Sequence, residues 1–311
     1  MTFDELGVSA PICRAITELG YQQPMPVQEA VIPYLLGEPI DLIALAQTGT
    51  GKTAAFGLPL LQNVAKSLEE VPATGTPRAL VLCPTRELCL QIADDLTAYS
   101  KYLPSVRILP VYGGSSIEAQ IRTLRRGVEV IVATPGRLID LMERGAASLE
   151  SISTVVLDEA DEMLTMGFAE SLQTILSQVP EERHLLLFSA TMPKEISSIA
   201  SSYMHKPKEI IVGTKNEGNK NIRHFYYVVS AKHKYLALKR IADYYPDIYG
   251  IIFCRTRKET QEIADQLIRD GYNADALHGE LSQAQRDYVM QKFRIRNLQL
   301  LVATDVAARG L

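Results

Sequence analysis

A chain of 311 residues can hold two domains of ordinary size, and an apolar fraction of 47% is enough to fill their cores. The net charge of −4 gives no support to a nucleic-acid partner, and no run of 18 or more apolar residues marks a membrane span. Four cysteines (Cys13, Cys83, Cys89 and Cys254) without a Cys-x-x-Cys spacing argue against a disulfide frame or a zinc site and fit a reducing cytoplasm.

Cys83, Cys89 and Cys254 sit in apolar stretches and read as buried thiols. Residues 1–5 lack the basic-then-apolar pattern of a signal peptide. The charge is unevenly shared: residues 1–213 carry 16 Lys+Arg and 25 Asp+Glu, net −9, whereas residues 214–311 carry 16 and 11, net +5. An acidic total is therefore compatible with a local basic track.

In chain order, short apolar runs alternate with longer segments of helical period. Strands are predicted over 41–46, 79–83, 107–112, 128–133, 154–157, 184–188 and 209–212. Between them the apolar residues recur at helical spacing, as Leu88, Ile92 and Leu96 do after Pro84. Buried-type strands alternating with helices imply an α/β fold with a parallel sheet covered on both faces. Residues 213–221 contain no apolar side chain and read as a linker. Beyond them, strands over 225–229, 250–254, 274–277 and 298–303 predict a second parallel α/β unit. The expected organisation is a first domain over 1–213, a linker over 214–221 and a second domain over 222–311. The last predicted strand has no crossover helix after it, so the second domain is expected to be incomplete.

The first predicted strand leads into Ala46-Gln47-Thr48-Gly49-Thr50-Gly51-Lys52-Thr53, a P-loop pattern with Ala46 at the place of the first glycine. Gly49 and Gly51 let the backbone turn its N–H groups toward phosphate oxygens, and the helix that follows adds its positive end. Lys52 would reach the β- and γ-phosphates of ATP, and the Thr53 hydroxyl would ligate Mg²⁺. The strand over 154–157 ends in Asp158-Glu159-Ala160-Asp161. Strand ends in such sheets carry ligand sites. Asp158 there could hold Mg²⁺ through water, and Glu159 could orient or deprotonate an attacking water.

Asp158-Glu159-Ala160-Asp161 matches the signature of the DEAD-box RNA helicases, and further stretches in the same order resemble that family's motifs from Phe3 to Leu311. The resemblance implies two RecA-like P-loop domains, ATP and Mg²⁺ as ligands, and RNA as the partner. Gly20-Tyr21-Gln22-Gln23-Pro24-Met25-Pro26-Val27-Gln28 resembles the adenine-recognition motif. Gln28 would pair with the adenine edge, Tyr21 would stack on the base, and Phe3 would support both. Met25 stands where a small hydroxyl residue is common, which is expected to weaken local capping. Ser189-Ala190-Thr191 resembles the motif that couples ATP state to unwinding, its hydroxyls reporting on the acidic motif.

Pro84-Thr85-Arg86-Glu87-Leu88, Gly113-Gly114 and Thr134-Pro135-Gly136-Arg137 resemble the RNA-contact motifs of the first domain. Arg255, the His278-Gly279 pair, Arg286, Thr304 and Arg309 match those of the second. Such contacts go to phosphates and 2′-hydroxyls, so binding of single strands and short duplexes would tolerate any sequence and favour RNA over DNA. A monomer is expected. The family's pattern continues past Leu311 with an aspartate and a His-Arg-x-Gly-Arg motif, so the sequence reads as a truncated helicase. An ATP- and RNA-binding module with little turnover is the alternative this raises; a DNA-directed translocase is the third reading.

Overall fold

The computed structural model describes residues 1–37, 41–47, 49–71, 75–212 and 222–304. The chain divides into two compact units, Met1–Glu217 and Gly218–Leu311.

In the first unit, α1 (Ala10–Glu18) and α2 (Pro26–Leu36) precede β1 (Leu42–Leu45). Then follow α3 (Lys52–Glu70), β2 (Ala79–Leu82), α4 (Arg86–Tyr99), β3 (Ile108–Val111), α5 (Ile117–Arg125), β4 (Val130–Ala133) and α6 (Pro135–Glu143). The unit closes with β5 (Thr154–Leu157), α7 (Ala160–Thr165), α8 (Ala169–Leu176), β6 (His184–Ser189), α9 (Lys194–Tyr203) and β7 (Lys208–Ile211). The strands form one sheet in the order β3-β4-β2-β5-β6-β1-β7, every pairing parallel.

Side chains alternate across this sheet with the strand period of two. Leu42, Ala44, Val81, Val132, Val156 and Phe188 enter one core layer. Ile43, Leu45, Leu80, Ile131, Val155 and Leu187 enter the other. Both faces are apolar, so both must be covered. From β1 to β3 the chain steps across the sheet in one direction, and right-handed crossovers put α3 and α4 on the first face with α1 and α2. After β3 the direction reverses, which sends α5 to α9 to the opposite face.

Two buried carboxylates fix the other end of the sheet. Asp41 accepts the N–H groups of Leu185 (2.7 Å) and His205 (2.6 Å), tying the starts of β6 and β7 to β1. Glu129 takes a two-pronged contact from Arg107, with Nη2 at 2.7 Å and Nε at 3.1 Å. The aligned fork satisfies an acid that is 1% exposed.

The second unit holds a short turn at Ala231–His233, α10 (Lys234–Tyr244), β8 (Gly250–Cys254), α11 (Arg257–Arg269), β9 (Ala274–Leu277), α12 (Gln283–Arg294) and β10 (Leu300–Thr304). Its parallel sheet runs β8-β10-β9. Leu277, Leu301 and Ala303 pack on Val289, Met290 and Phe293 of α12. On the other face Ala274, Ala276, Leu300 and Val302 pack on Ala264 and Leu267 of α11.

The strand expected over 225–229 is not formed: the segment has no strand pairing, and Tyr226 and Val228 are 89% and 92% exposed. Its apolar residues suit a strand, but a strand exists only with a hydrogen-bonded neighbour, and the described residues supply none. The expected linker lies outside the described residues. Among the described residues no helix is long and apolar enough to cross a membrane.

Candidate functional site

Because every strand of the first sheet is parallel, all carboxyl ends meet one edge. In order along it stand Tyr112 after β3, Thr134 after β4, Pro84 after β2, Asp158 after β5, Ser189 ending β6, and the turn after β1. One half of this edge therefore gathers the candidate phosphate residues and the other half the candidate RNA residues.

The turn after β1 is closed from within: the Thr50 hydroxyl donates to the carbonyl of Gln47 at 2.7 Å. Lys52 opens α3, is buried, and donates its ammonium to the carbonyl of Ala46 at 3.2 Å. Thr53 follows it in the first turn of α3, and Gly49 stands before it on the exposed side of the loop. Gly51 has φ +86°, and a Cβ there would fall 2.5 Å from Gln28 Nε2 and 2.8 Å from Met25 Sδ. Only glycine fits this cradle. Thr48 lies outside the described residues.

Gln28, 1% exposed, bridges the loop to α2. Its Nε2 donates to the carbonyl of Gly51 at 3.1 Å, and its Oε1 accepts the N–H of Met25 at 2.8 Å. Met25 supplies no side-chain hydrogen bond to cap α2, and the Gln28 amide holds the Met25 N–H rather than an N–H of the helix's first turn. Each amide atom still has a second hydrogen or lone pair for a ligand. Tyr21 sits edge-on to Phe3 and Tyr99, with its hydroxyl 2.7 Å from that of Tyr99.

Asp158 is buried, and its N–H donates to the Leu82 carbonyl. Burial pushes its carboxyl upward while the Lys52 charge pulls it back. A buried carboxylate facing a buried ammonium beside a glycine cradle fits Mg²⁺ and polyphosphate, since Mg²⁺ keeps several waters and takes one or two protein groups. Glu159 occupies the left-handed region at φ +50°.

The structure brings Ser189 and Thr191 to Asp161, a residue of the acidic motif that was not singled out from sequence. Asp161 Oδ2 accepts the Thr191 hydroxyl at 2.7 Å and its N–H at 3.0 Å. The Asp161 N–H donates to Ser189 Oγ at 3.3 Å, and Ser189 Oγ donates to the Thr191 carbonyl at 2.7 Å.

On the RNA half of the edge, Gly113, Gly114 and Gly136 are exposed, whereas Pro84, Thr85 and Pro135 are buried. The Thr85 hydroxyl caps α4 by accepting the N–H of Leu88 at 3.2 Å. Pro84 and Thr85 thus shape the rim, and Thr85 turns its oxygen to the helix. Arg86 lies over the Tyr112 ring at 4.6 Å. Arg137 Nη1 donates to the Ser115 carbonyl (3.2 Å) and to Gln120 Oε1 (3.1 Å). Gln120 Nε2 donates in turn to the Tyr112 carbonyl (3.1 Å) and Ser115 Oγ (2.8 Å). Sequence reading missed Gln120; its only signal is a polar residue at a position that faces the protein.

In the second unit, Arg255, Gly279 and Thr304 follow or end β8, β9 and β10 at the carboxyl edge of that sheet, and Arg286 lies in the first turn of α12. Arg255 and Gly279 are exposed. His278 is buried against Gln261, 2.9 Å from its Oε1. Arg309 lies outside the described residues.

This combination of a P-loop after β1, an acidic strand end at β5 and a second parallel unit is that of a two-domain helicase core. The DEAD/DEAH box helicase pattern matches residues 25–199, and the helicase conserved C-terminal domain matches residues 233–311. The chain belongs to the DEAD/DEAH box helicase family.

It is 44% identical over 310 residues to the ATP-dependent RNA helicase DeaD of Escherichia coli (strain K12), covering 100% of this chain and 48% of that protein. Identity is 46% to the DEAD-box ATP-dependent RNA helicase CshA of Geobacillus kaustophilus, with 100% and 65% covered. The chain thus spans about half the length of DeaD. Among solved structures, S. cerevisiae Dbp5 bound to RNA and ADP BeF3 aligns with a TM-score of 0.86 at 29% identity, covering 100% of this chain and 77% of that one. A DEAD box protein from Methanococcus jannaschii aligns at 0.61 and 37% identity, covering 100% and 82%.

Proposed function

We propose that this chain is the core of an ATP-dependent RNA helicase that remodels short duplexes. The observation that carries the reading is the shared carboxyl edge of the first sheet, where Lys52 and Asp158 stand in one half and the Gly113–Arg137 loops in the other. The names of the relatives and the RNA in the Dbp5 complex support the same reading.

In this proposal Gln28 and Tyr21 take adenine, and Gln47 to Lys52 take the phosphates. Thr53 and Asp158 would hold Mg²⁺, which would supply neutralisation of phosphate charge. Glu159 orients and deprotonates the attacking water. Asp161, tied to Ser189 and Thr191, links the acidic motif to the segment that follows β6. RNA is held by backbone and hydroxyl groups of the exposed loops, so it is read without regard to sequence. ATP and RNA each favour a closed arrangement of the two domains, which makes their binding mutually cooperative. Closure strains one strand and separates a short duplex; hydrolysis releases it.

The test is ATP hydrolysis by this chain with and without a short RNA duplex, beside Lys52→Ala. RNA-stimulated turnover that the substitution abolishes supports the reading. Turnover equal in the two proteins would overturn it.

A further inference from the structure

Outside the site just described, α5 carries an exposed cationic stripe. Arg122, Arg125 and Arg126 stand at positions i, i+3 and i+4, which puts three guanidinium groups on one face of the helix end. All three are exposed, and none forms an ion pair among the described residues. Glu118, one turn before Arg122, accepts from the Ser116 hydroxyl at 2.9 Å and feels the Arg144 and Arg122 charges only from beyond ion-pair distance. Neighbouring arginines are spent on acids: Arg107 on Glu129 and Arg144 on Asp140.

The setting makes this stripe unusual for its unit. Residues 107–146 hold six arginines and four acids, net +2, inside the 1–213 region whose net charge is −9. A cation in the last turn of a helix complements the helix dipole. That effect does not call for three on one stripe, where like charges repel.

The position supplies a partner. α5 is capped by Ser116 directly after the exposed Gly113-Gly114 loop, so the helix starts at the RNA half of the sheet edge. It packs Leu124 into the core behind the edge strand β3, with the arginines outward. Ten residues of helical rise separate Ser116 from Arg126, about 15 Å. A strand leaving the Gly113-Gly114 loop would meet Arg122 first and then Arg125 and Arg126.

We propose that Arg122, Arg125 and Arg126 form an outlying phosphate track that holds the RNA strand where it leaves the core site. The proposal rests on the RNA-binding reading above. The contact is electrostatic and indifferent to base sequence, and it serves only an RNA long enough to pass the rim.

The test compares the unmodified chain with Arg122→Gln/Arg125→Gln/Arg126→Gln and with the corresponding triple lysine variant, for RNAs of about six and about thirty nucleotides over a range of salt. Glutamine keeps helix propensity, and circular dichroism checks that the fold is intact. Three lost contacts at about 0.7 each lower the salt slope for the long RNA by about 2 and weaken its binding about tenfold or more. The short RNA binds unchanged, and lysine restores most of the loss. Long-RNA affinity and salt slope equal in the glutamine variant and the unmodified chain would overturn the track while leaving the core reading standing. Failure of the unmodified chain to bind RNA of either length would overturn both.

Discussion

Asp161 Oδ2 accepts two hydrogen bonds from one residue, the hydroxyl and the N–H of Thr191, across 30 positions of sequence. The pair clamps the start of α7 to the segment leaving β6. Thr191→Val keeps the shape and the backbone bond but removes the hydroxyl. It should cost about 1 kcal/mol in urea unfolding. If the clamp carries information between ATP and RNA, unwinding should fall by a larger factor than ATP hydrolysis; an equal fall in both would speak against that role.

Gly51 and Gln28 should prove energetically coupled. Gly51→Ala places a methyl group against Gln28 Nε2 in a left-handed conformation and should cost about 1–3 kcal/mol, with weaker nucleotide binding. Gln28→Ala removes the obstructing amide. A double-mutant cycle by urea unfolding should return a favourable interaction of at least about 0.5 kcal/mol between the two substitutions. Simple additivity would mean that the loop relaxes away from α2.

Backbone conformation and chemistry can be separated at Glu159. Its φ of +50° disfavours β-branched residues most. Stability should rank Glu159→Gly and Glu159→Gln near the unmodified protein, within about 1 kcal/mol, and Glu159→Val below them. Glu159→Gln should nevertheless lose turnover while still binding nucleotide, measured by fluorescent ATP-analogue titration. Full turnover in that variant would remove Glu159 from the mechanism.

Gln120 should act on RNA without touching it. It is 6% exposed and joins Arg137 to the Tyr112–Ser115 loop. Gln120→Ala removes three hydrogen bonds to half-buried partners and should cost about 1 kcal/mol or more. RNA affinity should fall while ATP-analogue affinity, read at the far half of the edge, stays constant. Arg137→Lys should keep part of the RNA affinity, because both bracing hydrogen bonds leave one nitrogen, Nη1.

Glu18 offers a pH test. The Lys101 and Tyr102 hydrogen bonds, at 2.6 and 2.5 Å, hold its carboxyl below the usual range. An acid with a depressed folded pKa contributes stability above its unfolded pKa and loses it as pH falls through the folded one. The melting temperatures of the unmodified protein and Glu18→Gln should therefore differ at neutral pH and converge in acid below that point. A gap that persisted unchanged would assign the contact no electrostatic part.

The sequence alone determined the α/β class and the parallel sheets, because buried strands must be apolar on both faces and helices must repeat near every fourth residue. The P-loop pattern at Lys52 and the acidic run after the strand at Asp158 were legible there too, because their residues stand at fixed short spacings. The rest depends on which strands become neighbours. Strand order divided the sheet edge between the P-loop half and the Gly113–Arg137 half. It put Gln28 against Gly51, Thr191 on Asp161 and Gln120 beneath Arg137, pairs separated by 17 to 30 residues. Among the described residues it also left 225–229 without a strand partner despite a strand-like pattern. Spacing within one element is written locally, whereas a hydrogen bond between elements exists only once the sheet has chosen its order.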